Sequence, residues 1–226
     1  MIVARRAAFA QNPLAIHPGH TRPAKKEGMP RRNWPLVLGF SVSVLACGSA
    51  AAHPHVWIDY GLTVTFDKGR VVSLKEDWSF DEDFSASVLR DVAGAAKAKT
   101  LTAAQVAKIE KNAFSNLKNY DYFTHIFAAG APVHPREATG FQARLSGPKL
   151  EYSFVLPLDR PVDAKPEPAA FGIWDDTYYV DVGPAEGKAP KLEGDGASAC
   201  QAVIVEDRQH PIYFGSVFPK TVRVTC

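Results

Sequence analysis

Hydrophobic and polar residues alternate along residues 55–66, which is the pattern of a strand with one buried face. Residues 67–70 (DKGR) are typical of a turn, and a second strand-like segment follows over residues 71–80. The pattern therefore predicts an antiparallel hairpin at the start of the fold. The positions predicted to face the core from the first strand are Val56, Ile58, Tyr60, Leu62, Val64 and Phe66.

Two helices are predicted after this hairpin. The acidic residues 81–83 (DED) open the first helix, which extends to about Ala98, because acidic side chains in a first turn complement the helix dipole. Thr102, with Gln105 three residues later, forms a capping box that begins the second helix. Apolar residues at helical spacing continue this second helix to about residue 117.

The rest of the chain is strand-like. A segment at 157–168 holds four prolines and is predicted to be an exposed connection, and residues 183–196 are predicted to be a polar loop. These patterns predict an α+β fold for residues 53–226, an antiparallel sheet or sandwich with two inserted helices and room for two layers. The predicted later strands are 122–128, 139–145, 150–158, 171–182, 200–206 and 217–226.

Residues 1–52 differ in composition from the rest of the chain. They hold seven Lys and Arg against one acidic residue, then an uncharged apolar run at 36–47 and small residues at 48–52. This order is typical of a secretory signal peptide, here with cleavage after Ala52. The apolar run is shorter than the roughly 20 residues that a transmembrane helix needs, so we expect no membrane span after processing.

Three alternatives concern this leader. A compact signal peptide could begin at Met29, so that residues 1–28 reflect an over-extended start. Cys47 could be the lipidated residue of a lipoprotein, and residues 31–32 could belong to a twin-arginine signal. With export as the leading interpretation, we expect residues 53–226 to function in the periplasm.

Removal of the leader changes the charge of the chain. The full chain has 26 Lys and Arg against 24 Asp and Glu, a net charge of +2. Because seven of those basic residues and one acidic residue lie in residues 1–52, residues 53–226 retain 19 and 23, a net charge of −4. The basic surface expected of a nucleic-acid-binding protein is lost with the leader, so no nucleic-acid partner is expected.

Two cysteines, Cys200 and Cys226, remain after processing. In an oxidising compartment an even pair of cysteines predicts a disulfide, which would here close a loop of 26 residues. The alternative is two free thiols that could bind a metal ion.

The sequence His53-Pro54-His55 is the strongest candidate for chemistry. Residues two apart on an extended chain project to the same side, and imidazole nitrogens suit zinc, copper and nickel. Pro54 has no N–H, which excludes a square-planar amino-terminal copper or nickel site. A copper site built from the His53 amine and ring with His125 or His134 is an alternative, and a polar segment that caps the sheet is another.

Two acidic residues could complete a metal site. Asp81 could supply a carboxylate to the histidines, with helix capping as the structural alternative. Asp175 could be a further ligand, with a hydrogen-bonded turn as its alternative. The sequence contains no His-Glu-x-x-His, Gly-x-Ser-x-Gly or phosphate-binding glycine loop, so no motif specific to an enzyme class supports catalysis.

Four segments together resemble one known family. They are AHPHVWID at 52–59, WSFDEDFS at 78–85, YDYFT at 120–124 and DDTYY at 175–179. They resemble the bacterial periplasmic family known as domain of unknown function 1007, over essentially all of residues 53–226. The resemblance implies metal handling beside an inner-membrane permease, and it implies no enzyme activity.

The leading functional expectation is therefore a periplasmic metal-binding accessory protein. It would bind Zn²⁺, or else Ni²⁺, Co²⁺ or Cu²⁺, through His53 and His55 with help from Asp81 or Asp175, and present the ion to a metal permease. One alternative is a metal-dependent enzyme, either a hydrolase or a copper oxidant that uses the amine of His53. Another is a protein-interaction module that needs no metal.

Overall fold

The computed structural model of the protein describes residues 55–94 and 98–226. The predicted signal peptide and His53 lie outside the described residues. The described part is an α+β fold of two sheets, as the hydrophobic pattern predicts. The strands are β1 (Val56–Asp67), β2 (Arg70–Phe80), β3 (Thr124–Ala128), β4 (Ala131–Val133), β5 (Thr139–Ser146), β6 (Lys149–Val162), β7 (Ala169–Ile173), β8 (Val180–Pro184), β9 (Lys191–Gly194), β10 (Gln201–Glu206) and β11 (Lys220–Thr225).

The first sheet has six strands and the second has five. In the first sheet the order is β5-β6-β2-β1-β8, and β9 pairs with β1 beyond β8. Strands β8 and β9 both run parallel to β1, whereas the other pairs of this sheet are antiparallel. The second sheet is antiparallel throughout its described strands, with the order β10-β11-β7-β3-β4.

The predicted hairpin is confirmed. All six β1 positions that the alternation assigns to the core are buried, from Val64 at 0% exposure to Val56 at 8%. Strand β2 pairs antiparallel with β1, with Tyr60 opposite Trp78. Because these inward side chains meet inward residues of the second sheet, such as Ile126 and Phe171, one hydrophobic core lies between the two sheets.

The helices connect β2 to β3 and begin where the sequence predicts. Helix α1 (Glu82–Ser87) is capped by Asp81, and helix α2 (Ala103–Ile109) has the predicted capping box. The predicted end of the first helix at Ala98 is wrong, because α1 passes into a π-helical turn at Val88–Val92 and Gly94 then adopts a positive φ of 61°. After α2 the chain continues through a π-helical turn (Glu110–Phe114) and a 3₁₀ segment (Ser115–Phe123).

The predicted strand at 171–182 is wrong as a single element. It is divided into β7 and β8, which belong to different sheets, and the turn between them contains the carboxylate of Asp175. Its aromatic residues give this turn the composition of a strand, but the side chain of Asp175 accepts hydrogen bonds that bend the backbone.

Two predicted loops contain strand. Strand β6 continues through Pro157 and Pro161 to Val162, where an exposed connection was predicted. A register shift in β2 between Val71 and Ser73 lies opposite this stretch, and such a bulge accommodates residues that lack an N–H. The predicted polar loop 183–196 contains β9, which pairs with β1.

The predicted disulfide between Cys200 and Cys226 is confirmed. It joins the start of β10 to the end of β11, next to the pair formed by Gln201 and Thr225. None of the helices in residues 55–94 and 98–226 has both the length and the apolar composition needed to cross a membrane.

Candidate functional site

The start of β1 carries the one motif histidine that the structure describes. His55 precedes β1, its backbone N–H donates to the carbonyl of Tyr179 at 2.9 Å, and its ring centroid lies 4.8 Å from that of Tyr179. The side chain of His55 is exposed. The histidine is therefore held at the sheet surface by its backbone and by contact with an aromatic ring.

Asp81 lies on one side of this strand, at the end of β2. Its Oδ1 accepts from the backbone N–H of Phe84 at 2.8 Å, which caps α1, and its Oδ2 accepts from the backbone N–H of Trp57 at 2.9 Å. A backbone hydrogen bond from Asp81 to the Trp57 carbonyl completes the link. The Asp81 carboxylate is thus bound to the backbone of Trp57, two residues after His55, and accepts one backbone hydrogen bond on each oxygen.

Asp175 lies on the other side, before β8. Its carboxylate accepts from the backbone N–H groups of Thr177 and Val180, and the Thr177 hydroxyl lies 2.8 Å from each carboxylate oxygen. Val180 pairs with Val56 of β1, so this turn also sets the position of the strand start. These hydrogen bonds are those of the turn that the sequence offers as the alternative to a metal ligand.

His55, Asp81 and Asp175 therefore lie at the same end of the first sheet, with β1 between the two acids. The predicted hairpin brings Asp81 near the histidines. In the structure its carboxylate accepts the backbone N–H of Trp57. Within the residues that the structure describes, no group of three or more His, Cys, Asp or Glu side chains is arranged to hold a metal ion. His53 is not among those residues.

A cleft of about 600 Å³ adjoins this end of the sheet, and we refer to it as the acidic cleft. It lies between residues 116–125 and residues 174–180, and Tyr179 belongs to its wall. Three aspartates, Asp121, Asp175 and Asp176, line it, and its described lining includes no Lys or Arg. A lining of this composition favours cations over anions.

The two histidines of the copper alternative have partners of their own. The ring of His125 stacks on Trp174 at 4.1 Å, and its Nε2–H donates to the Trp174 carbonyl at 3.1 Å. Burial lowers the pKa of His125, which keeps this imidazole neutral. His134 is exposed, and its Nδ1 lies 2.8 Å from a carboxylate oxygen of Asp121.

Glu76 is a fully buried acid on the inward face of β2, and no sequence motif points to it as a functional residue. Its carboxyl group contacts the Trp78 indole N–H at 2.8 Å and the Thr124 hydroxyl at 2.9 Å. Burial raises the pKa of Glu76 to about 8, and these two hydrogen bonds only partly offset that rise. The signal was present in the alternation, because Glu76 occupies an inward position between Leu74 and Trp78.

Comparison with known proteins assigns the chain to a family. The sequence model of a family described as a protein of unknown function, DUF1007, matches residues 38–213. This chain belongs to that family. The resemblance inferred from the sequence motifs is thereby confirmed, and the match includes β1, Glu76 and the acidic cleft.

Two relatives share parts of the chain. An uncharacterized protein of Haemophilus influenzae is 26% identical over 152 residues, which cover 66% of this chain and 69% of the relative. An uncharacterized 15.5 kDa protein in the trpE 3′ region of Spirochaeta aurantia is 34% identical over 74 residues, which cover 33% of this chain and 52% of the relative.

Proposed function

We propose that this DUF1007 protein is a periplasmic metal-binding accessory protein that holds a divalent cation at the start of β1 and delivers it to an inner-membrane permease. The ion is zinc in the leading form of the proposal, with nickel, cobalt and copper as other borderline cations that imidazole binds. The observation that supports it best is the fixed position of His55, with Asp81 on one side and the acidic cleft on the other.

The two flanking acids differ in their capacity to bind an ion. An ionised carboxylate has about four acceptor positions. The contacts of Asp175 with Thr177 and Val180 use its acceptor positions within its own turn, whereas Asp81 accepts only one backbone hydrogen bond per oxygen in the contacts described above. We therefore assign Asp81 as the carboxylate that assists His53 and His55, and Asp175 as the residue that positions β8.

An exposed site with few protein ligands suits transfer of an ion. Structural zinc sites are closed by four protein ligands, whereas sites with fewer ligands keep positions open to water or to another protein. His55 lies at the surface, and the net charge of −4 on residues 53–226 attracts cations to the protein. These features support exchange of the ion with a membrane partner.

The proposed location rests on two observations. The Cys200–Cys226 disulfide is typical of proteins in oxidising compartments, and residues 1–52 have the composition of a signal peptide. Cleavage after Ala52 would make His53 the first residue and add its amine to the candidate ligands.

The test is calorimetric titration of Zn²⁺ into protein that begins at His53. We expect the His53→Ala/His55→Ala double variant to bind at least about tenfold more weakly, since each imidazole supplies a ligand. The matched control is His134→Ala, which removes an exposed histidine that contacts Asp121 instead. Equal affinity in wild type and the double variant, or a loss confined to His134→Ala, would overturn the proposal.

A further inference from the structure

Glu76 connects the two sheets through a hydrogen-bonded contact in the core. Its side chain has 0% exposure and extends from β2 of the first sheet to Thr124 of the second. The Thr124 hydroxyl oxygen lies 2.9 Å from Glu76 Oε1 and 3.2 Å from the carbonyl oxygen of Tyr122. The other oxygen of Glu76 accepts the indole N–H of Trp78.

The hydrogen bonds that link Glu76, Thr124 and the Tyr122 carbonyl depend on whether Glu76 is protonated. The Thr124 hydroxyl has a single proton, so an ionised Glu76 and the Tyr122 carbonyl must compete for it. A protonated Glu76 instead donates to the oxygen of Thr124, and Thr124 then donates to Tyr122. Only the protonated form gives both acceptors a hydrogen bond, which matters because an unsatisfied buried acceptor is costly.

The groups around Glu76 also favour the neutral acid. Tyr60 faces it from β1, and burial together with the charge of Glu76 raises the pKa of this tyrosine, so Tyr60 stays neutral. The register neighbours of Glu76 are Leu62 and Phe154, which are apolar. No salt bridge of the described residues reaches Glu76, and burial raises its pKa to about 8.

Tyr122 lies in an unusual backbone segment beside the acidic cleft. Asp121, Tyr122 and Phe123 have φ values of 48°, 55° and 58°, a left-handed turn made of three residues that are not glycine. Such conformations persist only where surrounding contacts hold them. Asp121, Phe123 and Thr124 line the acidic cleft, so the position of this turn sets the shape of one cleft wall.

We propose that Glu76 is a proton-dependent latch that holds the left-handed turn at residues 121–123 and thereby controls the wall of the acidic cleft. When Glu76 is protonated, the chain from Glu76 through Thr124 to the Tyr122 carbonyl is complete and the turn is held. When Glu76 loses its proton, the Thr124 hydroxyl turns to the carboxylate and the Tyr122 carbonyl is released. This inference does not depend on metal binding at His55.

The test is NMR spectroscopy of the metal-free protein between pH 5 and pH 9. We expect the side-chain carboxyl resonance of Glu76 to titrate with a midpoint above pH 6.5, and the amides of residues 121–123 to shift with the same midpoint. The inference would be overturned if the Glu76 midpoint lay below pH 6.5, or if the wild-type amides of residues 121–123 did not follow the Glu76 titration.

Two variants separate the latch from a general effect of pH. Glu76→Gln keeps the shape of the side chain without ionisation, so the turn should lose its titration between pH 6.5 and 9. Thr124→Val removes the hydroxyl, so Glu76 should still titrate while the amides of residues 121–123 no longer follow. Persistence of the turn titration in both variants would contradict the proposed chain, and the wild-type measurement decides the question if either variant fails to fold.

Discussion

Asp81 allows a test of whether a proposed ligand also stabilises the fold. Replacement by Ala removes the cap on the Phe84 N–H and the hydrogen bond from the Trp57 N–H. Loss of a helix cap costs about 1 kcal/mol, and loss of a hydrogen bond to a charged acceptor at a partly exposed position costs about 1.5 kcal/mol. We therefore expect Asp81→Ala to lower the free energy of unfolding by about 2–3 kcal/mol without metal.

The measurement is urea denaturation in the presence of a chelator, followed by tryptophan fluorescence. Asp83→Ala is the matched control, since Asp83 is an exposed acid in the same first turn that does not cap α1. It should change the free energy of unfolding by less than about 0.5 kcal/mol. A metal-free Asp81→Ala protein as stable as the Asp83→Ala protein would refute this account of Asp81.

Three further predictions concern the core and the second sheet. The free energy of unfolding of the wild type should fall by about 4 kcal/mol between pH 5 and pH 8.5 through Glu76 alone. The pKa of Glu76 is about 8 in the fold and lies above its value in the unfolded chain, so stability is lost as pH rises. Replacing Cys200 and Cys226 with Ser should cost about 3 kcal/mol, from the 26-residue loop that the disulfide closes. Gly172→Ala should cost about 1–3 kcal/mol and alter tryptophan fluorescence, because an added Cβ would lie 1.9 Å from the Trp174 ring.

Each of these has its own control, measured by urea denaturation. Glu76→Gln should remove the contribution of Glu76 to the pH dependence of the free energy of unfolding. If that pH dependence is the same in the variant and the wild type, the prediction is wrong. Wild-type protein in reductant should match the double serine variant, and equal stability with and without reductant would argue against the disulfide estimate. Gly183→Ala should be tolerated, since nothing lies within 4 Å of its added Cβ, and an equal loss there would contradict the Trp174 clash.

Local sequence patterns predict the elements that are stabilised by neighbouring residues or by burial of one face. The β1–β2 hairpin followed from strict alternation, and α2 followed from the capping box of Thr102 and Gln105. The disulfide followed from the even pair of cysteines and the inferred compartment. In each case the residues that determine the element are themselves visible in the sequence.

Other features depend on contacts that no local pattern contains. The break between β7 and β8 arises where Asp175 binds the backbone of Thr177 and Val180, within a segment whose composition is that of a strand. The parallel pairing of β8 with β1 joins residues more than a hundred positions apart. The role inferred for Glu76 needs Thr124, a residue of the other sheet, and the sequence does not indicate which residue faces an inward acid.

The position of β11 has a consequence for how the molecule folds. Strand β11 follows every other described strand in sequence, yet it lies between β10 and β7, where Val222 pairs with Phe171 and Ile204. Until β11 arrives, β7 presents an open hydrogen-bonding edge, and such edges recruit strands from other molecules. A chain that emerges N-terminus first would therefore leave this edge of β7 open until β11 has arrived. We expect C-terminal truncation to cause aggregation rather than a merely shorter sheet.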